Sequence, residues 1–265
     1  QPYSVGLPAI GAEPMTEARM WGATWFDQLA CRIKFRSVRY EGEFTPPGVD
    51  RPSMNFPGFV GGMNWGSVSV NEDNGYLIVN DMRMPSLVQL VPRAEADKLQ
   101  AELGHGAGLQ PQAGTPFAVL QTQFMSPAGF LCHAPPWGTI SAVDLKTRKL
   151  VWQQPLGTVE DAPNGSGGKV GAKIPLGMPT LGGPITTSTG LIFYAGSMDF
   201  YLRALDVATG RELWKGRLPV GAQATPMTYV SPKSGRQYVA VSAGGGRTLP
   251  ERGDYVIAYA LPKAP

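Results

Sequence analysis

Residues 142–152 and 204–214 carry one pattern, Ala-x-Asp-x-x-Thr-x-x-x-x-Trp, sixty-two residues apart. In the second copy Tyr201, Arg203 and Leu205 alternate with Leu202 and Ala204, which predicts a strand over 200–207. Ala208-Thr209-Gly210 reads as a turn, with Gly210 free to take positive φ, and the chain returns as a second strand ending on Trp214. The first copy differs at the turn, where Arg148 stands in place of glycine. A two-stranded hairpin cannot bury an indole by itself, so Trp152 and Trp214 each need a neighbouring sheet to pack on. Self-similarity at this spacing predicts a propeller or array with one four-stranded blade per repeat. The repeated Asp and Thr are expected to hydrogen-bond within their turns.

The rest of the composition suits that reading. A chain of 265 residues can bury a sizeable core as an all-β domain, and 34 Gly with 25 Pro supply many turns. The net charge of +3 is spread without a basic run, which makes no case for nucleic acid or an anionic membrane. No apolar run approaches eighteen residues. The chain begins at Gln1 without an initiator Met or signal peptide, which reads as a processed product, an excised fragment or one piece of a longer protein. Cys31 and Cys132 do not have zinc-site spacing, and with His105 and His133 as the two histidines no metal site is expected. A disulfide and two buried free thiols both stay open at this point.

In chain order, residues 1–14 are Pro/Gly-rich and extended. Thr16 to about Arg32 reads as helical, with Thr16 as N-cap. Phe35–Phe44 alternates as a strand before Pro46-Pro47. Hairpins are expected at 61–80, turning at Asp73-Asn74-Gly75, at 182–195, turning at Gly190, and at 224–242, turning near Ser234-Gly235. A last strand is expected at Tyr255–Leu261. With the two Trp-ended hairpins this makes about four blades. Two long stretches break the rhythm: 92–139, with a helical piece at Ala94–Leu103, and 157–183. Loops of this length in a compact domain are usually functional or disordered.

Several ordered motifs then point to a family. Met20-Trp21-Gly22-Ala23-Thr24, Asp27-Gln28-Leu29, Cys31-Arg32 and Phe44-Thr45-Pro46-Pro47 are followed by Ala142-Val143-Asp144-Leu145 and Leu181-Gly182-Gly183-Pro184-Ile185. Gly221-Ala222-Gln223-Ala224-Thr225-Pro226-Met227-Thr228-Tyr229 and Gly253–Pro262 complete the set. Together, over essentially all 265 residues, they resemble the C-terminal part of the membrane-bound quinoprotein dehydrogenases of the glucose/quinate/shikimate type. The resemblance implies an all-β fold, about four blades of an eight-bladed propeller holding pyrroloquinoline quinone (PQQ) on its axis. It also implies a periplasmic enzyme attached to the inner membrane through a part absent from this chain, passing electrons to ubiquinone. In the family the catalytic aspartate, the lysine beside the cofactor and most ligands of the divalent cation, calcium or magnesium, lie in the N-terminal half. No position here matches those motifs, so no catalytic residue is expected in this chain and the missing half is its expected partner. An oxidising compartment favours the Cys31–Cys132 disulfide.

Residue by residue, the resemblance places Asn64-Trp65 against PQQ, where an amide and an indole N–H can donate. The ordinary alternative is a strand-entry Asn and a packing Trp. Asp199 matches an aspartate lining the mouth of the family's site, against the alternative of a solvated carboxylate. Glucose enzymes read Ala-Gly-Gly-His-Gly where this chain reads Ala243-Gly244-Gly245-Gly246-Arg247. Gly246 replaces the imidazole, and the Arg247 guanidinium suits an anionic substrate such as quinate or shikimate.

In such an enzyme PQQ takes a hydride from a secondary alcohol, a base takes the hydroxyl proton, and a ketone results. Two other readings compete. A non-enzymatic propeller of the outer-membrane-assembly type shares the repeat, but its compact blades do not need the long loops at 92–139 and 157–183. A soluble alcohol dehydrogenase with a haem partner is disfavoured by the absence of Cys-x-x-Cys-His.

Overall fold

A computed structural model describes residues 5–64, 66, 68–103, 108–164, 167–196, 198–246 and 249–262. A 3-10 turn at Glu17–Arg19 precedes α1 (Trp25–Ser37), β1 (Ser53–Asn55), β2 (Val68–Asn71), β3 (Tyr76–Met82), β4 (Ser86–Pro92) and α2 (Arg93–Leu103). Then come β5 (Leu109–Gln110), β6 (Phe117–Gln123), β7 (Gly138–Asp144), β8 (Lys149–Pro155), β9 (Ile185–Thr186) and β10 (Leu191–Ala195). The chain continues through β11 (Tyr201–Asp206), β12 (Glu212–Arg217), β13 (Met227–Val230), β14 (Gln237–Gly245) and β15 (Arg252–Tyr259). The named strands pair antiparallel in four sheets, and the chain divides into two compact units.

One unit comprises 4–8, 63–82 and 135–265. Its sheets are β2-β3-β7-β8, β9-β10-β11-β12 and β13-β14-β15. The expected hairpins therefore do not each make a blade: an outer hairpin and a Trp-ended hairpin join edge to edge, β3 on β7 and β10 on β11. The two copies of the repeat fold alike, down to a shared irregularity. The register slips after Ala142 in one and after Ala204 in the other, so each alanine sits opposite its tryptophan. Asp144 Oδ1 accepts from Lys146 N and Thr147 N at 2.8 and 2.9 Å; Asp206 Oδ1 accepts from Thr209 N and Oγ1, both at 2.8 Å. β8 and β12 run on past Trp152 and Trp214, because continued ladder bonding costs less than stopping at the indole.

Both tryptophans reach the next sheet. Trp152 is half-buried, and its Nε1 donates to Val207 O at 3.0 Å. Ile78, Ile140, Ile192, Tyr194 and Leu205 pack beside it. Trp214 meets Tyr259 edge-on, with ring centroids 5.0 Å apart. Its burial, however, is less than expected: 39% of it remains exposed. The physical reason is that its neighbour, β13-β14-β15, has three strands where the other two sheets of this unit have four. A groove of about 970 Å³ runs there, bounded by Phe193, Leu213, Trp214, Tyr259 and Leu261.

The other unit, 1–3, 9–62 and 83–134, holds the sheet β1-β4-β6-β5, whose order is not that of a sequential meander. Here the sequence expectations need correction. The first helix is capped by Thr24, whose side chain accepts from Asp27 N at 3.2 Å, and not by Thr16. It runs through Ser37, and the expected strand over 35–44 does not form. Phe35 and Val38 follow Cys31 at helical spacing into one core with Met20, Met54 and Phe124, and this packing overrides the local alternation. Cys31 and Cys132 are bonded, S–S 2.04 Å, with both residues fully buried. The 92–139 stretch is not a bare loop, since it carries α2, β5 and β6, with Ala96 packed on Val91 and Ala118. The 157–183 stretch contains no strand or helix among its described residues.

Candidate cofactor and substrate site

Register places the expected site residues at one end of their sheets. In the unit of three sheets, β2, β9 and β13 each begin at the end where β3, β10 and β14 finish. Asn64 precedes β2, Asp199 lies in the β10–β11 connection, and Gly246 lies in the β14–β15 connection. The segments before the first strands touch in series. A Cβ on Gly66 would come within 2.4 Å of Gly183 N, and one on Gly182 within 2.8 Å of Gln223 O. Gly183 N donates to Thr225 Oγ1 at 3.1 Å, Ala222 N to Gly196 O at 2.9 Å, and Gly245 N to Gly221 O at 2.8 Å. Glycine is needed in this arc because backbone lies directly against backbone. Trp65 and Arg247 lie outside the described residues.

Asn64 is half-buried at the head of this arc. Asn80, at the same end of β3, is buried and donates from Nδ2 to Gly182 O at 3.0 Å, while its Oδ1 has no hydrogen-bond partner among the described residues. A buried unsatisfied acceptor is the kind of group that a ligand completes. The polar donor at Asn64 and the acceptor at Asn80 fit part of the edge of a polar, aromatic cofactor such as PQQ. They do not amount to a metal centre. Among the described residues no group of three or more His, Cys, Asp or Glu side chains is placed to hold an ion.

Asp199 is neither solvated nor free. It is 1% exposed, and Arg203 clamps it with two bonds, Nη1 to Oδ1 at 2.6 Å and Nη2 to Oδ2 at 2.5 Å. Thr158 N adds a third bond at 2.8 Å. Gly196 and Gly157 make room, since a Cβ on either would lie 2.6 or 3.2 Å from the Asp199 carboxylate. Burial works against the Arg203 charge, but Asp199 outweighs it and holds the guanidinium above its usual pKa. Arg203 Nε also donates to Glu212 Oε2 at 2.9 Å.

A second buried carboxylate organises the 157–183 segment. Asp161 accepts two bonds of 2.6 Å from Arg217, one of 3.1 Å from Lys169 and one of 2.9 Å from Phe200 N. Burial pushes its pKa up, yet Arg217, Phe200 N–H and Lys169 together hold it below the usual carboxylate range. Lys169 also reaches Glu251 at 3.0 Å, and its ammonium lies 4.0 Å from the Phe200 ring centroid. Gly246 is buried, and its carbonyl accepts from Arg252 Nη1 at 2.8 Å. The roles of Asp161, Lys169, Arg217 and Glu251 were not visible in the sequence, because the partners lie up to 90 positions apart with no periodic signal (Asp161 to Glu251). Arg203 did leave a trace, as a charged residue between Leu202 and Ala204 in the predicted strand over 200–207.

These two carboxylates are each committed to an arginine by paired hydrogen bonds, which makes them good anchors. The arrangement can orient ligands and set charge at this end of the sheets.

A meander of antiparallel blades, Trp-linked from sheet to sheet, with a glycine-lined arc at one end, defines a portion of a quinoprotein-type β-propeller. Residues 1–239 match the PQQ-dependent glucose/ethanol/alcohol dehydrogenase β-propeller domain, and the chain belongs to that family. It is 54% identical to a probable quinate dehydrogenase (quinone) of Xanthomonas campestris pv. juglandis over 100% of the chain and 34% of the relative. It is 53% identical to the quinate/shikimate dehydrogenase (quinone) of Acinetobacter baylyi over 99% of the chain and 33% of the relative. The chain thus spans about a third of the length of these relatives. A solved quinohemoprotein alcohol dehydrogenase from Comamonas testosteroni superposes with TM-score 0.53 at 22% identity, over 79% of this chain and 28% of that one, a likeness of fold.

Proposed function

We propose that this chain is the C-terminal portion of one propeller domain of a PQQ-dependent dehydrogenase that oxidises a secondary alcohol of a quinate- or shikimate-like hydroxy acid and delivers electrons to ubiquinone. The observation that carries the substrate class is the likeness, along the whole of this chain, to two quinate enzymes. PQQ, when bound, supplies the redox chemistry. This chain's Asn64, with Trp65, would hold one edge of the cofactor. Gly246 and Arg247 would face the substrate, the glycine leaving space where glucose enzymes keep an imidazole and the arginine pairing with a carboxylate. Asp199 would serve the mouth through Arg203 and the 157–158 backbone, which it holds in place.

The proton acceptor and the divalent cation, calcium or magnesium, belong in this reading to the N-terminal half of the polypeptide. That half is also the partner that adds a fourth strand along β15 and closes the propeller. The setting is the periplasmic face of the inner membrane. None of the described helices is long and apolar enough to cross a membrane. The test is dye reduction by the whole protein loaded with PQQ and calcium or magnesium. Quinate or shikimate should be preferred over glucose, and Arg247→Ala should raise KM for quinate roughly ten- to a hundredfold while sparing neutral polyols. A preference for glucose, or equal loss on charged and neutral substrates, defeats the reading.

A further inference from the structure

One cation stands where three connections of the sheets meet. Val170 N donates to Ala162 O at 2.9 Å and Asn164 N to Gly168 O at 3.0 Å, which lays the two sides of a short loop against each other. The Asn164 side chain closes that loop, its Oδ1 accepting from Gly168 N at 3.0 Å and its Nδ2 donating to Lys169 O at 3.3 Å. Lys169 therefore leaves a backbone that is fixed on both sides. Its ammonium has three N–H bonds and finds three partners among the described residues. These are Asp161 Oδ1 at 3.1 Å, Glu251 Oε1 at 3.0 Å and the Phe200 ring, 4.0 Å to the centroid. The first lies on the 157–183 segment itself, Glu251 on the β14–β15 connection, and Phe200 on the β10–β11 connection directly after Asp199. All of them belong to the unit of three sheets.

The three contacts are not equally needed. Asp161 already has two 2.6 Å bonds from Arg217 and one from Phe200 N, so it is held without Lys169. Glu251 has no such reserve. Its Oε2 is buried without a hydrogen-bond partner among the described residues, and Lys169 is the cation on its other oxygen. Burial works against the Lys169 charge, but Glu251 and Asp161 outweigh it and keep the ammonium above its usual pKa. Two residues before Glu251, Leu249 is buried in one core with Phe200, and its N donates to Gly246 O at 3.1 Å. That bond closes the 246–249 turn. Lys169 thus fixes one flank of this turn against the Asp199–Phe200 connection.

We propose that, given the substrate-facing reading of Gly246 and Arg247 on which this rests, Lys169 is a positioning residue for substrate. Through Glu251 it holds the 246–249 turn in one place against the β10–β11 connection. It acts through that carboxylate and not by its own contact with substrate. Nothing local in the sequence marks Lys169, since its partner on the turn lies 82 positions away.

The experiment uses the whole protein loaded with PQQ and calcium or magnesium. Lys169→Met should raise KM for quinate about tenfold and lower kcat by less than about threefold, and Lys169→Arg should restore most of the loss. Glu251→Gln should reproduce the rise, and the double variant should be no worse than Lys169→Met alone, since both break one tie. A second measurement needs no substrate. Amide exchange at Gly245 and Leu249, whose N–H groups bond Gly221 O and Gly246 O, should quicken at least about fivefold in Lys169→Met. Exchange at Ile78 and Ile140, in the β2-β3-β7-β8 sheet, should stay as it is. An unchanged KM overturns the proposal, as do additive losses in the double variant. Exchange that is unaltered, or that quickens equally in both sheets, overturns it too and leaves Lys169 a general stabiliser. The substrate class fails separately. If the wild type prefers glucose over quinate, that class falls, whereas local quickening with a raised KM for glucose would still make Lys169 the positioning residue.

Discussion

Lys169 Nζ lies 3.0 Å from Glu251 Oε1, an ion pair that ties the irregular 157–183 segment to the β14–β15 connection carrying Gly246. The same ammonium holds Asp161, which is 2% exposed, while Lys169 itself is more than one-third exposed. The two partners of Asp161 should therefore matter unequally. Lys169→Met should cost about 0.5–1 kcal/mol, as for a screened pair. Arg217→Met should cost about 3 kcal/mol, because it removes both bidentate bonds and leaves a buried carboxylate poorly paired. Urea unfolding of the two variants checks this, and equal losses would mean that Arg217 is no more than a surface partner.

The two copies of the repeat make a second contrast. Gly210 has φ +74° and Arg148 has φ +59°, so both turns need the left-handed region. Only at Gly210 does a neighbour also intervene, since a Cβ there would come within 2.8 Å of the Trp152 ring. Gly210→Ala should cost about 2–3 kcal/mol from strain and displaced packing. Arg148→Gly should be neutral or stabilising by up to about 1 kcal/mol, the relief of strain set against the added freedom of the unfolded chain. Midpoints of thermal unfolding, read side by side, decide the matter. A loss from Arg148→Gly as large as that from Gly210→Ala would break the argument.

Much of this was readable in advance. The hairpins at 68–82 and 185–195 and the turns at Gly75, Gly190 and Gly235 followed from local alternation and turn chemistry, which act over a few residues. What was not readable depended on distant partners. Residues 35–37 alternate like a strand yet fold as helix, because Cys31 and Phe35 share a core with residues from far along the chain. β4 and β6 went unseen within and beside a Pro/Gln-rich stretch, since each finds its pairing partner about thirty residues away. The site shows the same division. Gly246 and Asn64 were marked by motif, whereas the ion pairs of Asp161 and Asp199 emerge only when separate loops meet.

Acid should weaken the unit that holds His133. This imidazole is buried, and its pKa is lowered to about 3, first by burial and then by the charges of Arg19 and Arg83. In the unfolded chain it protonates near its ordinary value of about 6.5. The folded pKa is the lower one, so the unfolded state binds the extra proton, and stability falls as pH drops from about 6.5 toward 3. At pH 5 the contribution lost is on the order of 2 kcal/mol. His133→Asn should therefore flatten the pH dependence between about pH 6.5 and pH 5, whatever its effect at pH 7. Below about pH 4 the lowered carboxylates, Asp161 among them, add their own loss in both proteins. Unfolding free energies measured across this range should separate the two steps, and an unchanged slope above pH 5 in the variant would exonerate His133.

The last prediction concerns Trp214 and β15. Trp214 is 39% exposed and touches Tyr259, which belongs to the three-stranded sheet, while Tyr255 and Val256 on β15 are 46% and 78% exposed. If the rest of the polypeptide lays a strand along β15, the groove between Leu213, Trp214 and Leu261 is covered and the indole loses water. Trp214→Ala should then cost about 1 kcal/mol in the 265-residue chain and about 3 kcal/mol in the whole protein, as expected for a side chain that passes from half-covered to fully packed. Amide exchange along residues 252–259 should slow by at least about tenfold in the whole protein, because strand pairing protects the outward N–H groups. Both measurements use the same two proteins. Matching exchange rates and matching costs in the two would show that β15 keeps an open edge in the whole protein.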